Sequence, residues 1–374
     1  MKKSNDNASL WSPLVNGLDP YVPGEQPATE GLIKLNTNES PYPPSPQALA
    51  AIADAAGDKL RLYPDPESSR LKATIADYFA VESENVFVGN GSDEVLAHAF
   101  NAFFRQDKPI LFPDLTYSFY PVYCQLYNID YQLTPLNADF EIDITDYKVP
   151  NGGIIFPNPN APTAIGLVRQ SIIDLLEANP DSVVIVDEAY IDYAQRSNAE
   201  ITADSVASVV DLVQQYNNLL VVHTLSKSRA FAGMRIGYAI GHPHLIDGLQ
   251  RVKNSFNSYP VDRLAEIAAI ASFQDESYFQ STKDKVIANR QLLVDGLEAL
   301  NFDCLPSSAN FVLVRQNNLD AKQLAEQLRE HKIIVRYFAT PRIAEFIRIT
   351  VGTEEQNQQL LAVVSDLLSN NVKI

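Results

Sequence analysis

Cysteine is scarce in this chain: only Cys124 and Cys304 occur among 374 residues. They lie far apart and form no CxxC pair, which argues against a disulfide framework or a cysteine-rich metal site. Long apolar runs are also missing, and none is long enough to span a bilayer. The N-terminal stretch MKKSNDNASLWSPLVNG is polar and lacks the apolar core of a signal peptide. These absences together make a reducing cytoplasm the expected compartment. Basic residues are outnumbered, 29 Lys and Arg against 46 Asp and Glu, for a net charge of −17. Such diffuse acidity argues against a nucleic-acid footprint, so a bound anion must be held by local geometry. The chain has neither an internal repeat nor a low-complexity tract.

What is present has a clear order. Residues 4–46 are rich in Pro, Asn and Gly and read as an extended arm with turns; NESPYPPSP excludes helix. Helical patterns cover 46–56 and 69–80, with RLYPDPES as the turn between them. From there strands and helices alternate. ENVFVGN, PILFPD, GGIIFPNPN, DSVVIVDEAY and LLVVHTLS read as strands, and RIGYAIG as a further strand, antiparallel to its neighbours or at a bend. The intervening GSDEVLAHAFNAFF, TYSFYPVYCQLYN and RQSIIDLLEAN read as helices. Alternation of this kind predicts an α/β fold with a mostly parallel central sheet flanked by helices. Runs such as VVIV and LLVV suit strands buried on both faces. The pattern then changes: residues 263–300 read as one long helix, and NFVLV and FIRITVG as strands around the helix DAKQLAEQLREHK. This predicts a smaller α+β domain. The expected division is an arm at 1–45 that packs with the small domain, a large domain at 46–275 and a small domain at 276–374.

In open α/β sheets, ligands bind beyond the carboxyl ends of the strands. The residues predicted there are Gly91, Ser92, Asp93, Tyr117, Asn160, Asp187, Tyr190 and Lys227. Each has an ordinary structural reading when taken singly. A Gly-Ser turn opens many helices, a strand-end Asp caps, a turn Asn is common, and a tyrosine is usually core. Taken together they describe one site. The Gly-Ser turn offers backbone N–H groups to a phosphate. A lysine flanked by an apolar strand is a candidate nucleophilic amine, because desolvation frees it. In HTLSKSRAFAGMR the hydroxyls of Thr224 and Ser226 and the cation Arg235 make sense beside a phosphate ester. An amine that forms an imine, a carboxylate for a ring nitrogen and a phosphate cup together describe pyridoxal phosphate. Arg229 is left without a role and is expected to be exposed or weakly phosphate-facing.

These segments resemble the class I/II pyridoxal-phosphate aminotransferases of fold type I, from LNTNESP at 35 to IRITVG at 347, nearly the whole chain. Within that class LNTNESPYPPSP, RLYPDPES, GNGSDE, VDEAYIDY, KIIVRYF and IRITVG are most similar to the histidinol-phosphate aminotransferases. The resemblance implies roles. Lys227 would carry the cofactor covalently and later shuttle a proton at the substrate Cα. Asp187 would pair with the ring nitrogen, Asn160 and Tyr190 with the ring's phenolic oxygen, and Tyr117 would stack on the ring. Gly91, Ser92, Asp93, Thr224, Ser226 and Arg235 would border the phosphate, and Tyr63 would reach the phosphate of a partner subunit in a homodimer. Arg348 and Arg336 would anchor the substrate's acidic group, and Tyr21 and Asn38 would complete the substrate side. No metal, nucleic acid or membrane is implied.

Two departures from that pattern stand out. Ala164 follows Pro162-Thr163 where glycine is usual, and the span from Asp187 to Lys227 is long. AQRSNAEITADS within that span is expected to be a surface insertion between a strand and a helix. The implied reaction is ping-pong transfer of an amino group between histidinol phosphate and 2-oxoglutarate. Rival readings are an aromatic amino-acid aminotransferase, a phospho-amino-acid decarboxylase on the same scaffold, and a non-catalytic ligand-sensing regulator. The last usually carries a basic helix-turn-helix extension, for which this acidic chain gives no sign.

Overall fold

The structure, a computed structural model, describes residues 10–27, 31–195 and 200–371. The arm holds a short helix α1 (Pro13–Gly17) and a strand β1 (Ile33–Lys34). Then come α2 (Pro46–Ala55), α3 (Ser69–Phe79), β2 (Val86–Asn90), α4 (Gly91–Phe103), β3 (Ile110–Pro113), α5 (Tyr120–Tyr127) and β4 (Tyr131–Thr134). These lead to β5 (Ile154–Pro157), α6 (Arg169–Ala178), β6 (Val184–Asp187), β7 (Leu219–Thr224), β8 (Ile236–Gly241) and α7 (Pro243–Asn254). The remainder is α8 (Arg263–Gln274), α9 (Glu276–Ala299), β9 (Asp303–Cys304), β10 (Phe311–Arg315), α10 (Ala321–Glu330), β11 (Ile333–Ile334), β12 (Arg336–Tyr337), β13 (Ile347–Thr350) and α11 (Glu354–Asn371).

The central sheet has seven strands in the order β2-β8-β7-β6-β5-β3-β4. Strands β7, β6, β5, β3 and β4 run parallel, and β8 is antiparallel to both its neighbours. Every residue of β3, β5, β6, β7 and β8 is buried, which is why these strands read as unbroken apolar runs. Two apolar clusters fill the two faces: one holds α3, α6 and α8 residues such as Leu71, Leu175 and Ala268, the other α4, α5 and α7 residues such as Phe100, Tyr123 and Leu249. A second, antiparallel sheet, β12-β13-β10-β9, has its own cluster with α9, α10 and α11, including Leu293, Leu328 and Leu360. The arm joins that unit. Its β1 pairs in parallel with β11, and Leu35 enters the same cluster.

Three sequence expectations are corrected. The single helix at 263–300 is two helices, because the backbone bends at Asp275 (φ −93°, ψ 56°). Asp275 is buried there and accepts a hydrogen bond from Ser45 Oγ at 2.5 Å, so the break is fixed by a residue 230 positions away. Helices α7 and α11 and strands β1, β4 and β9 were not anticipated. The stretch AQRSNAEITADS leads to no α-helix; only the 3₁₀ turns Ile191–Tyr193 and Val210–Gln214 lie between β6 and β7 among the described residues. Residues 196–199 of that stretch lie outside the described set. Its far end is docked: the carbonyls of Ser205 and Ala203 accept from the Arg169 and Gln170 N–H groups at 2.9 Å, satisfying the first turn of α6.

Candidate active site

The carboxyl edge of the parallel strands opens into a cavity of about 840 Å³ shared with the second sheet and the arm. It is lined by Ser92, Asp93, Tyr117, Asp187, Tyr190, Thr224, Ser226, Lys227, Arg235, Arg336, Arg348, Tyr21 and Asn38. Because β8 runs opposite to its neighbours, its first residues, not its last, fall on this edge. That is what brings Arg235 to the same place as Thr224 at the end of β7.

One end of the cavity is a cradle of small residues, hydroxyls and one cation. Gly91 sits at φ +81°, and a Cβ on it would lie 2.6 Å from Arg235 Nη2. A Cβ on Gly237 would lie 2.2 Å from the Ser92 backbone nitrogen, so β8 meets the first turn of α4 only because it carries glycine there. Thr224 Oγ1 donates to Ser226 Oγ at 2.9 Å and accepts from the Ser226 N–H at 3.1 Å. The Asp93 carboxylate accepts from Arg235 at 3.0 Å and from the Tyr117 hydroxyl at 2.9 Å. Its side chain therefore orients a cation and an aromatic ring.

Lys227 projects its amine into the cavity. Nζ lies 3.5 Å from the Thr37 carbonyl and 5.7 Å from the Tyr190 ring centroid. Asp187 ends β6 and is buried; burial lifts its carboxyl from 3.8 to about 6, against hydrogen bonds from the Tyr120 hydroxyl (3.0 Å) and the Ala189 N–H that lower it. Asn160 donates to the Leu115 carbonyl at 3.0 Å, while its Oδ1 is buried without a protein partner. The turn that carries it closes although alanine replaces glycine. The Ala164 N–H donates to the Asn160 carbonyl at 2.7 Å, Ala164 holds φ +67°, and its methyl is covered by Ala309 and Phe311. The Tyr190 hydroxyl accepts from Asn38 Nδ2 at 3.1 Å, and Asn38 is itself tied to Thr350 and Asn310.

The other end of the cavity is positive. Arg336 and Arg348 face each other across the β12–β13 ladder. Arg348 is half-buried, and desolvation pulls its guanidinium down to about 10; it donates to the Asn36 carbonyl at 2.9 Å, and its Nε has no partner. Neither arginine forms an ion pair among the described residues. Tyr21 crosses the opening, its ring 4.8 Å from Phe119 and 6.5 Å from Tyr117. The arm is held on one side by Gln125, which accepts from the Asp19 N–H at 2.9 Å, and on the other by the Glu25–Arg329 ion pair.

Gly91 and Asn160 are not among the cavity's lining residues, although their neighbours Ser92 and Ala161 are, and two further residues lie elsewhere. Tyr63 is 79% exposed and stacks on Tyr259, outside this cavity. Arg229 is neither exposed nor phosphate-facing, contrary to expectation. Its guanidinium is buried among the rings of Tyr78, Phe273 and Phe279, 4.0–5.2 Å from their centroids, and donates to the Ser272 carbonyl at 2.6 Å. It ties the Lys227 loop to the bend between α8 and α9. The sequence reading missed Tyr120 on Asp187, Phe338 beside the arginines and Glu39 beside Lys34. Nothing in the sequence separates Tyr120 from the other aromatics of YSFYPVY, whereas Phe338 stands two residues from Arg336 in a segment already singled out.

These residues fit pyridoxal phosphate. A glycine-floored cradle with Ser, Thr and Arg donors suits its phosphate. A buried carboxylate held above its ordinary range suits a cationic ring nitrogen, and the unmet Asn160 oxygen leaves a polar contact for a ligand.

The Aminotransferase class I and II family model matches residues 30–364. A histidinol-phosphate aminotransferase of Hydrogenovibrio crunogenus is 58% identical, over 96% of this chain and 98% of that relative. One from Pseudomonas syringae pv. syringae is 54% identical over 96% of this chain and all of its own length. The crystal structure of the histidinol-phosphate aminotransferase from Sinorhizobium meliloti, in complex with pyridoxal-5'-phosphate, shares the fold. Its TM-score is 0.84 at 24% identity, over 96% of this chain and 98% of that one.

Proposed function

The chain belongs to the class I and II aminotransferases, and on that premise we propose that it transfers the amino group between L-histidinol phosphate and 2-oxoglutarate, a step of histidine biosynthesis. The observation that carries this reading is the pair of guanidiniums, Arg336 and Arg348, opposed in register at the cavity wall and in no ion pair among the described residues. Two such cations suit a phosphate monoester and equally a dicarboxylate, the two anions a single pocket must accept in turn.

Pyridoxal phosphate supplies an electron-accepting ring whose carbonyl carbon exchanges amines. The chain's own residues do the rest. Ser92, Thr224, Ser226 and Arg235 hold the phosphate. Asp187 keeps a proton on the ring nitrogen, with Tyr120 orienting the carboxylate. Asn160 and Tyr190 would bind the ring's phenolic oxygen, and Tyr117, held by Asp93, would pack on the ring. Lys227 would hold the cofactor through its amine, and the same amine would take up and return the proton of the substrate Cα. Tyr21 and the arm keep water out.

The active unit is a homodimer in the cytoplasm, and the chain divides into an arm (1–45), a cofactor domain (46–275) and a small domain (276–374). No helix among the described residues is long and apolar enough to cross a membrane. The exposed Tyr63, backed by Tyr259 and by the Arg263 side chain on its carbonyl (2.9 Å), is a residue built to reach outward, to the cofactor phosphate of a partner subunit. Mixing Lys227→Ala with Tyr63→Phe chains therefore restores one intact site per heterodimer; mixtures no more active than the parents refute the shared site. The substrate is tested with an amino-donor panel. Histidinol phosphate should exceed phenylalanine and tyrosine in kcat/KM with 2-oxoglutarate as acceptor; preference for phenylalanine would move the chain to the aromatic aminotransferases.

A further inference from the structure

Arg348 is held by several groups: the Asn36 carbonyl, the Phe311 ring at 5.1 Å and the Phe338 ring at 5.4 Å. Arg336 is not. Among the described residues its side chain makes no hydrogen bond and no ion pair, and the ring it lies over is Phe338, 5.4 Å from its Cζ. A long, flexible cation opposed directly to another cation across a ladder should swing away into solvent. Phe338 opposes that. Its ring stands beside both guanidiniums, and an aromatic face attracts cations through its quadrupole. It also packs against the cluster of Leu115, Leu136, Leu313, Ile343 and Phe346, so the ring is itself anchored.

We propose that Phe338 is a positioning and specificity-determining residue, whose ring aims Arg336 into the cavity and lets it share one substrate anion with Arg348. This rests on the two-arginine anion site proposed above. The ring does not touch the reacting atoms. It removes the ordering cost that Arg336 would otherwise meet when the anion binds. A phosphate monoester, which needs both cations, depends on it more than a single carboxylate does.

The test is a double-mutant cycle on the holoenzyme with Phe338→Leu, Arg336→Ala and the pair. Readouts are the KM and kcat for histidinol phosphate and the Kd for inorganic phosphate as a non-reacting probe. Leucine keeps the apolar volume and removes the π face. Phe338→Leu should raise both the KM and the phosphate Kd about tenfold, the size of one partly desolvated cation–π contact, with kcat within about twofold. Phe338→Tyr, which keeps the face, should restore affinity. The double variant should bind phosphate little worse than Arg336→Ala alone, because Arg348 keeps the Asn36 carbonyl and the Phe311 ring when the Phe338 face is lost. Multiplying losses in the double variant, or wild-type phosphate affinity in Phe338→Leu, overturn the role of Phe338 while leaving the anion site intact. Wild-type affinity in Arg336→Ala overturns the anion site itself, and the proposal with it.

Discussion

Replacing Asp187 by Asn in the cofactor-free protein should stabilise it, and the gain should depend on pH. Burial moves the Asp187 carboxyl from 3.8 to about 6. Between those values the folded protein binds a proton that the unfolded chain has released, so stability falls as pH rises through that window. At about 1.36 kcal/mol per pKa unit, the carboxylate costs the cofactor-free fold ~3 kcal/mol above pH 6. Asparagine keeps an acceptor for the Tyr120 hydroxyl and the Ala189 N–H, so hydrogen bonding is largely preserved. The assay is thermal or urea unfolding of both cofactor-free proteins from pH 4 to pH 8. Near pH 4 the two should be equally stable, and above pH 6 the variant should be ahead by ~2–3 kcal/mol. A cationic ring nitrogen beside the carboxylate reverses that order, so saturating pyridoxal phosphate should leave the wild type the more stable. Parallel curves for the two cofactor-free proteins across pH would refute the claim that Asp187 is a charge stored for a cationic ligand.

Two further perturbations probe the surrounding frame. Gly237→Ala puts a methyl 2.2 Å from the Ser92 nitrogen and 2.3 Å from the Gly91 carbonyl carbon, and backbone cannot swing aside as a side chain can. An overpacking cost of ~2 kcal/mol falls on the phosphate cradle, so cofactor affinity by equilibrium dialysis should drop at least ~10-fold; unchanged affinity would mean that β8 does not form the cradle wall. Arg229→Lys keeps the charge and loses the planar group that three rings and the Ser272 carbonyl surround. Unfolding should show a loss of ~2–3 kcal/mol that lysine does not restore relative to Arg229→Met; a wild-type midpoint in the lysine variant would contradict the cage.

Those perturbations also mark where reading the chain as a sequence succeeds and where it stops. The central strands are legible because burial on both faces leaves unbroken apolar runs, and the site residues follow because they stand where such runs end. Ser92, Asp187 and Lys227 are found by that logic alone. The bend at Asp275 is hidden, because apolar spacing continues through it and the cause is Ser45, far away in the chain. Arg229 is misread for the same reason. Its partners Tyr78, Phe273 and Phe279 are each 44 or more positions distant, and a cation two residues from Lys227, close to the hydroxyls of the phosphate cradle, invites the wrong inference. Arg235 is legible as a cation near the cradle, but that it arrives there on an antiparallel strand is settled only by the sheet order. The pairing of Arg336 with Arg348 depends on the register of two strands separated by a 3₁₀ turn, which no periodicity encodes.

On the proposed function, this pair of arginines reads a phosphate ester. That reading is tested most directly by comparing kcat/KM for L-histidinol phosphate and for L-histidinol, which differ only in that group. A preference of at least ~10³-fold for the phosphorylated donor is expected, since the unphosphorylated one leaves two partly desolvated cations unpaired. Values within tenfold of each other would contradict it.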